Sequence, residues 1–241
     1  LKIPMKGNAY FSFGNTIHNT LEKFYKKIIE LNGLKQDSLF GLPTDLSASS
    51  NIKVPAFDDL IKLYEQTWID DWFESKWQRE KYFKKGKDIL RTFYDAQDGH
   101  WTIPVSLEGF FKIKVGDYTV NGRMDRIDKM KDGSLEIIDY KTGKSKEKLT
   151  ASDKEQLLIY QIAAETLPNY KNIGPTGKLT FFYLDDNIQT SFIGTDKELK
   201  KLEEKLVKTI DKIQNRDFKA KPNKPICSRC DFRDICEFRA K

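Results

Sequence analysis

Asp139 and Lys141 stand two residues apart in LEIIDYKTGKS (135–145), a carboxylate and an ammonium in a stretch otherwise apolar enough for a buried strand. Side chains alternate between the two faces of a strand, so Asp139 and Lys141 share one face while Ile138 and Tyr140 share the other. In the preceding segment NGRMDRID (121–128), Asn121, Arg123, Asp125 and Ile127 form one such row. The turn at Lys131–Ser134 lays that segment antiparallel beside Leu135–Lys141, and Asp125 then comes next to Asp139. Two carboxylates held together resist ionising unless a cation separates them. A hard divalent ion removes the conflict, since Mg²⁺ takes one or two carboxylates, waters and phosphate oxygens. Lys141 beside it would orient an attacking water, while the ion lowers that water's pKa and offsets charge developing on a phosphate. Those parts suit phosphodiester hydrolysis. An isolated Asp-x-Lys is more often a cross-strand ion pair on a solvated face, so the rest of the chain must decide.

The elements that would position these residues are readable from periodicity. Gly14 to Leu31 carries Ile17, Leu21, Phe24, Tyr25 and Ile28 at helical spacing, with His18 and Glu22 four apart on a neighbouring face. Residues 36–55 form a polar, Ser-rich loop, and Ala56 to Tyr94 reads as two helices rich in aromatic residues. From Trp101 the texture changes. Pro104–Val115, Tyr118–Met130 and Leu135–Lys141 read as strands, Ser152–Leu167 as a helix, and Lys178–Leu184 with Ile188–Ile193 as a further strand pair. Thr195–Asn215 is an amphipathic helix that leads to a Cys-bearing tail. With no internal repeat and no clear linker, residues 1–241 read as one α/β domain with a helical insertion at about 55–100 and a Cys-bearing tail over 222–241.

Composition excludes some classes. A hydrophobic fraction of 39% over 241 residues argues for a folded globule, and no run approaches a membrane span of about 20 apolar residues. The net charge of +6 permits a polyanionic partner. The chain opens on LKIP without a signal-peptide layout, and we expect a domain cut from a longer protein. Its three cysteines, Cys227, Cys230 and Cys236, form an odd cluster unlike a secreted disulfide framework, so a cytoplasmic setting is expected.

Further motifs turn this pattern into a family resemblance. GRMDRID (122–128), EIIDYKTGKS (136–145) and QLLIYQ (156–161), with FGNTIHNTLEKF (13–24) and SLEGFFKI (106–113) upstream, follow one another as they do in RecB-type nucleases of the PD-(D/E)xK superfamily. The tail CSRCDFRDIC (227–236) has the C-x2-C-x5-C spacing of the AddB-type iron–sulfur subgroup. The resemblance implies an α/β, restriction-endonuclease-like fold, a central mixed β-sheet flanked by helices. It implies a Mg²⁺- or Mn²⁺-dependent deoxyribonuclease, an exonuclease by preference. Such a domain is often the C-terminal module of a UvrD-type helicase in DNA repair and recombination. Its partners would be DNA, as single strands or duplex ends, and a helicase domain in cis or trans, with no membrane.

By the same resemblance, His18, Asp125, Asp139 and the Tyr140 backbone carbonyl are metal ligands, and Lys141 is the catalytic lysine. Gln156 and Tyr160 match a Q-x3-Y motif that supports the site or holds DNA, and Glu108 is a possible additional site residue. Arg123 and Arg126 would either contact phosphates or pair with nearby acids. Lys144 and Lys146, with Lys148, Lys2, Lys6 and the Lys84–Lys87 group, would either line a track for the DNA backbone or belong to solvated surface. Iron–sulfur members hold their cluster with four thiolates, three from the C-terminal motif and one upstream of the His-bearing helix. No Cys precedes Cys227, so a cluster is expected only in a full-length parent, with reduced thiols or adventitious Zn²⁺ in this fragment. The rival reading is a catalytically silent PD-(D/E)xK scaffold that binds DNA without cutting it, against which the intact Asp125, Asp139, Lys141, Gln156 and Tyr160 argue. A second rival is a metal-stapled structural or interaction domain in which the cysteine tail matters and the acids do not.

Overall fold

The computed structural model describes residues 7–33, 52–228 and 230–240. The loop expected over 36–55 falls outside these residues up to position 51, as do Lys2 and Lys6. Three helices come first: α1 (Ala9–Leu31), α2 (Phe57–Thr67) and α3 (Lys76–Ala96). Strands β1 (Ser106–Val115), β2 (Tyr118–Lys129) and β3 (Leu135–Lys141) form a meander, and α4 (Ala151–Thr166) with the single turn α5 (Pro168–Lys171) crosses over to β4 (Thr176–Tyr183). The chain ends with β5 (Ile188–Phe192), α6 (Asp196–Gln214) and the short α7 (Lys224–Cys227).

Strand order in the sheet is β1-β2-β3-β4-β5, with β3 and β4 parallel and every other pair antiparallel. This is the mixed sheet flanked by helices that the family resemblance implies. One difference lies at the start of α1, expected near Gly14 but found at Ala9. The Asn8 side chain accepts from the Phe11 N–H and caps the helix a turn and a half earlier than the apolar periodicity reveals. The single-turn helices α5 and α7 are too short to show a period.

Each sheet face is buried against its own helices. On one face Met124, Ile127, Ile137, Leu179 and Phe181 pack with Leu157 and Ala163 of α4 and Leu199 and Leu202 of α6. On the other, Leu107, Ile138, Tyr140 and Phe182 pack with Ile17, Leu21 and Phe24 of α1, Leu60 and Tyr64 of α2, and Leu90 and Phe93 of α3. The helical segment expected as an insertion therefore shares with α1 the cover of one face. Gly86 lets α2 and α3 close together: a Cβ there would stand 2.1 Å from the Tyr64 hydroxyl, which donates to the Phe83 carbonyl at 3.2 Å. Truncating a ring from such a core, Phe93 for example, typically costs about 3–5 kcal/mol.

Candidate active site

β3 is buried along its length through Leu135, Ile137 and Ile138, so its C-terminal end is a rigid place to mount reactive groups. Asp139 continues the Ile137 row and is 1% exposed. Lys141 Nζ lies 2.7 Å from its Oδ2, yet out of line for a hydrogen bond, and that buried oxygen has no hydrogen-bond partner among the described residues. The pairings Ile127–Ile137 and Arg126–Ile138 run on to set Asp125 beside Asp139, as the alternation predicts. Asp125 Oδ2 accepts from the Tyr140 backbone N–H at 2.8 Å.

β1 delivers the third carboxylate. Leu107 pairs with Arg126 and Gly109 with Met124, so Glu108 falls opposite Asp125. Glu108 breaks the ladder there with a φ of +47°, in the left-handed region that non-glycine residues rarely occupy. Such strain persists only where the surroundings hold it, and it clusters at functional sites.

His18 arrives from α1 on the opposite layer. Its Nε2 lies 3.0 Å from the Tyr140 carbonyl, which can only accept, so Nε2 donates there and Nδ1 faces the carboxylates, a donor to Asp125 when the ring is charged and a lone pair when it is neutral. Nδ1 stands 3.4 Å from Asp125 Oδ2 and 3.9 Å from Glu108 Oε1. One ligand atom each from His18, Glu108 and Asp125 lies within 4.8 Å of the others.

The electrostatics of this cluster follow from burial and mutual repulsion. Burial, then the Asp125 charge, pushes the Asp139 carboxyl up from 3.8 to about 6. Burial and the same neighbour push Glu108 from 4.5 to about 7. Burial would lower the His18 imidazole, but its hydrogen bond and charge interaction with Asp125, helped by Asp139 and Glu108, leave its pKa raised. A site that draws protons into a nest of carboxylates is one where a divalent cation would displace them. Oxygen ligands joined by one imidazole, held by a carbonyl on its far nitrogen, suit Mg²⁺ or Mn²⁺. The residues present thus fit a divalent metal, with His18, Glu108 and Asp125 around it and, beside them, the Asp139 oxygen that faces Lys141 without a hydrogen bond.

Lys141, beside Asp139, also meets a polar row on α4. Its Nζ donates to Gln156 Oε1 at 2.7 Å, and Gln156 Nε2 donates to the Tyr160 hydroxyl at 2.8 Å. The Tyr160 ring is held edge-on against Phe111 at 5.7 Å, and burial raises its hydroxyl pKa well above the usual phenol value. The structure therefore brings Gln156 and Tyr160 into one hydrogen-bonded row with Lys141.

Other expected residues lie elsewhere. Arg126 is 3% exposed and cannot reach a phosphate; of its two readings the structure takes the pairing one. Its cross-strand partners Leu107 and Ile138 face the α1 layer, and there Nε donates to Asp128 at 2.7 Å, Nη1 to the Tyr140 hydroxyl at 3.0 Å, and further donors to Tyr25 and Thr102. Thr102 in turn donates to Asp128 at 2.6 Å. Tyr25 and Thr102 carried no sequence signal, because their partners are 101 and 24 positions away. Arg123 is exposed near Glu108, and Lys144 is exposed. Lys146 is paired with Asp153, the residue that also caps α4 through Thr150. The Tyr140 carbonyl expected as a metal ligand is engaged by His18. Cys227 and Cys230 are half-buried, Cys236 is exposed, and all three are free thiols; among the described residues none joins a group of three metal-ligating side chains.

No curated protein matches this chain. One solved structure, "Crystal structure of SSO0001", is similar at 19% identity and a TM-score of 0.40, covering 92% of this chain and 97% of that one. The profile of the PD-(D/E)XK nuclease superfamily matches residues 2–237, which takes in every element that builds the carboxylate cluster, and the chain belongs to that superfamily.

Proposed function

We propose that this protein is a Mg²⁺- or Mn²⁺-dependent deoxyribonuclease that uses His18, Glu108, Asp125, Asp139 and Lys141. The observation that carries this reading is the buried Asp139 oxygen without a hydrogen-bond partner, set between a lysine and a His–Glu–Asp cluster that accumulates protons. A divalent ion supplies Lewis-acid charge for the phosphate and acidifies water. The protein's part is orientation. The Tyr140 carbonyl fixes the His18 tautomer and the Tyr140 N–H fixes the Asp125 carboxylate, so one peptide group of β3 orients two ligands. Lys141, steered by Gln156 and Tyr160, holds and stabilises the attacking water or hydroxide and stands close enough to share its charge.

In the cell we place this domain in DNA repair or recombination beside a helicase in cis or trans, in a cytoplasmic setting where its thiols stay reduced, acting as an exonuclease. Three thiols do not complete a four-iron cluster, and no step of the reaction depends on one. The test is calorimetric titration of Mn²⁺ into the protein and into Asp125→Ala, with degradation of linear DNA followed in Mn²⁺ and in EDTA. Binding confined to the unaltered protein, and cleavage confined to Mn²⁺, is the expected result; cleavage in EDTA would refute the metal-dependent reading.

A further inference from the structure

The first turn of α1 leaves two aromatic rings in solvent, Tyr10 at 72% and Phe11 at 63% exposure. Trp72, between α2 and α3, and Trp77, in the first turn of α3, are 51% and 69% exposed. Trp72 lies against Gly7 just before α1, and Trp77 follows it in the first turn of α3. The Ser12 hydroxyl donates to the Asp71 carbonyl at 2.6 Å and ties the Trp72 loop to α1, while Tyr10 meets Tyr82 of α3 edge-on at 5.9 Å. Large rings gathered in solvent mark interaction surfaces rather than scattered apolar residues. Over residues 70–87, six basic side chains stand among four acidic ones; Lys76, Arg79, Lys85 and Lys87 are ion-paired, and Lys81 lies over the Trp77 ring at 5.0 Å.

The position of this patch relative to the carboxylate cluster points to its ligand. Phe11 precedes His18 by seven residues, two helical turns, so both project from one face of α1 about 10 Å apart. Between them lies Gly14, where a Cβ would stand 3.8 Å from the Thr142 hydroxyl, and Thr142 directly follows Lys141. A strand with its scissile phosphate at Lys141 and His18 would pass over Gly14. It would reach Phe11 within about three nucleotides at a stacked rise of about 3.4 Å. Base faces are free to stack on protein rings only when the strand is unpaired.

We propose that Tyr10, Phe11, Trp72 and Trp77 form a stacking platform for unpaired bases of single-stranded DNA leading into the site. The platform deepens the nuclease reading and rests on it for the place of the scissile phosphate. The test is fluorescence anisotropy of a labelled oligothymidine and of a blunt hairpin duplex in EDTA, with the unaltered protein, Phe11→Ala/Trp77→Ala and Phe11→Trp. The double variant should melt like the unaltered protein and lose about tenfold in single-strand affinity for each ring removed, with duplex binding unchanged. Phe11→Trp should keep full affinity. Equal single-strand affinity in the double variant, equal losses on duplex and single strand, or no single-strand binding by the unaltered protein would overturn the proposal and leave the rings to a protein partner. If the unaltered protein cuts no DNA while the double variant still loses single-strand binding, the nuclease reading falls and the platform stands.

Discussion

Asp139→Asn should make the metal-free protein more stable, the gain expected where a buried carboxylate is held against a second one. In the unfolded chain this carboxyl ionises near 3.8, and in the fold near 6, because burial and Asp125 oppose its charge. The folded form therefore binds more protons between those values, and stability is fullest below about pH 4 and falls as pH rises through about 6. The full difference, from 3.8 to about 6, corresponds to at most about 3 kcal/mol. Asparagine removes that penalty, in which the attraction to Lys141 is already counted. The expectation near pH 8 in EDTA is therefore a gain of up to about 3 kcal/mol, or up to about 6–12 °C in Tm for a chain of this size. His18 and Glu108 have raised pKa values and lower stability with rising pH in the same direction; Glu108 is raised by burial and Asp125 in both proteins, while His18 loses the part of its shift that Asp139 supplies. Thermal melts of both proteins in EDTA at about pH 5 and about pH 8, repeated at about pH 8 with Mn²⁺, measure it. The advantage should shrink at the lower pH, and Mn²⁺ should raise the Tm of the unaltered protein alone. A variant less stable at the higher pH, or a difference independent of pH, would refute the reasoning.

The remaining predictions concern neighbouring groups. Arg126→Ala strips a buried carboxylate of its partner and should cost about 3–5 kcal/mol in urea melts, whereas a DNA-contacting arginine would leave stability unchanged. Lys141→Met should keep the melting temperature within a few degrees and slow cleavage at saturating Mn²⁺ by about 100-fold or more in single-turnover assays. Mn²⁺ affinity measured by calorimetry should rise as pH increases through about 6 and about 7, where Asp139 and Glu108 release their protons; a flat profile would remove them from the site.

Much of this site was legible because it lies on regular elements. Alternation along two strands and one short turn place Asp125 beside Asp139 and put Lys141 on the same face, and helical spacing aligns Gln156 with Tyr160. Periodicity also locates α4 and the strands within a residue or two. It is silent where a contact joins distant positions or departs from regular geometry. Glu108 enters the cluster through a left-handed backbone conformation that no alternation pattern reveals. Arg126 looks like a surface cation in GRMDRID, and only the Asp128, Tyr25, Tyr140 and Thr102 groups around it show why it is buried. The aromatic richness of α2 and α3 was plain, but not that Tyr64 and Phe93 would be core while Trp77 stays in solvent.

The central claim is that one carboxylate-and-lysine cluster at the end of β3 hydrolyses DNA. It is tested most directly by incubating linear DNA with Mn²⁺ and either the unaltered protein or Asp139→Ala, after melts have shown that both are folded. We predict degradation by the unaltered protein and none by Asp139→Ala. Equal degradation by the two proteins would contradict the account.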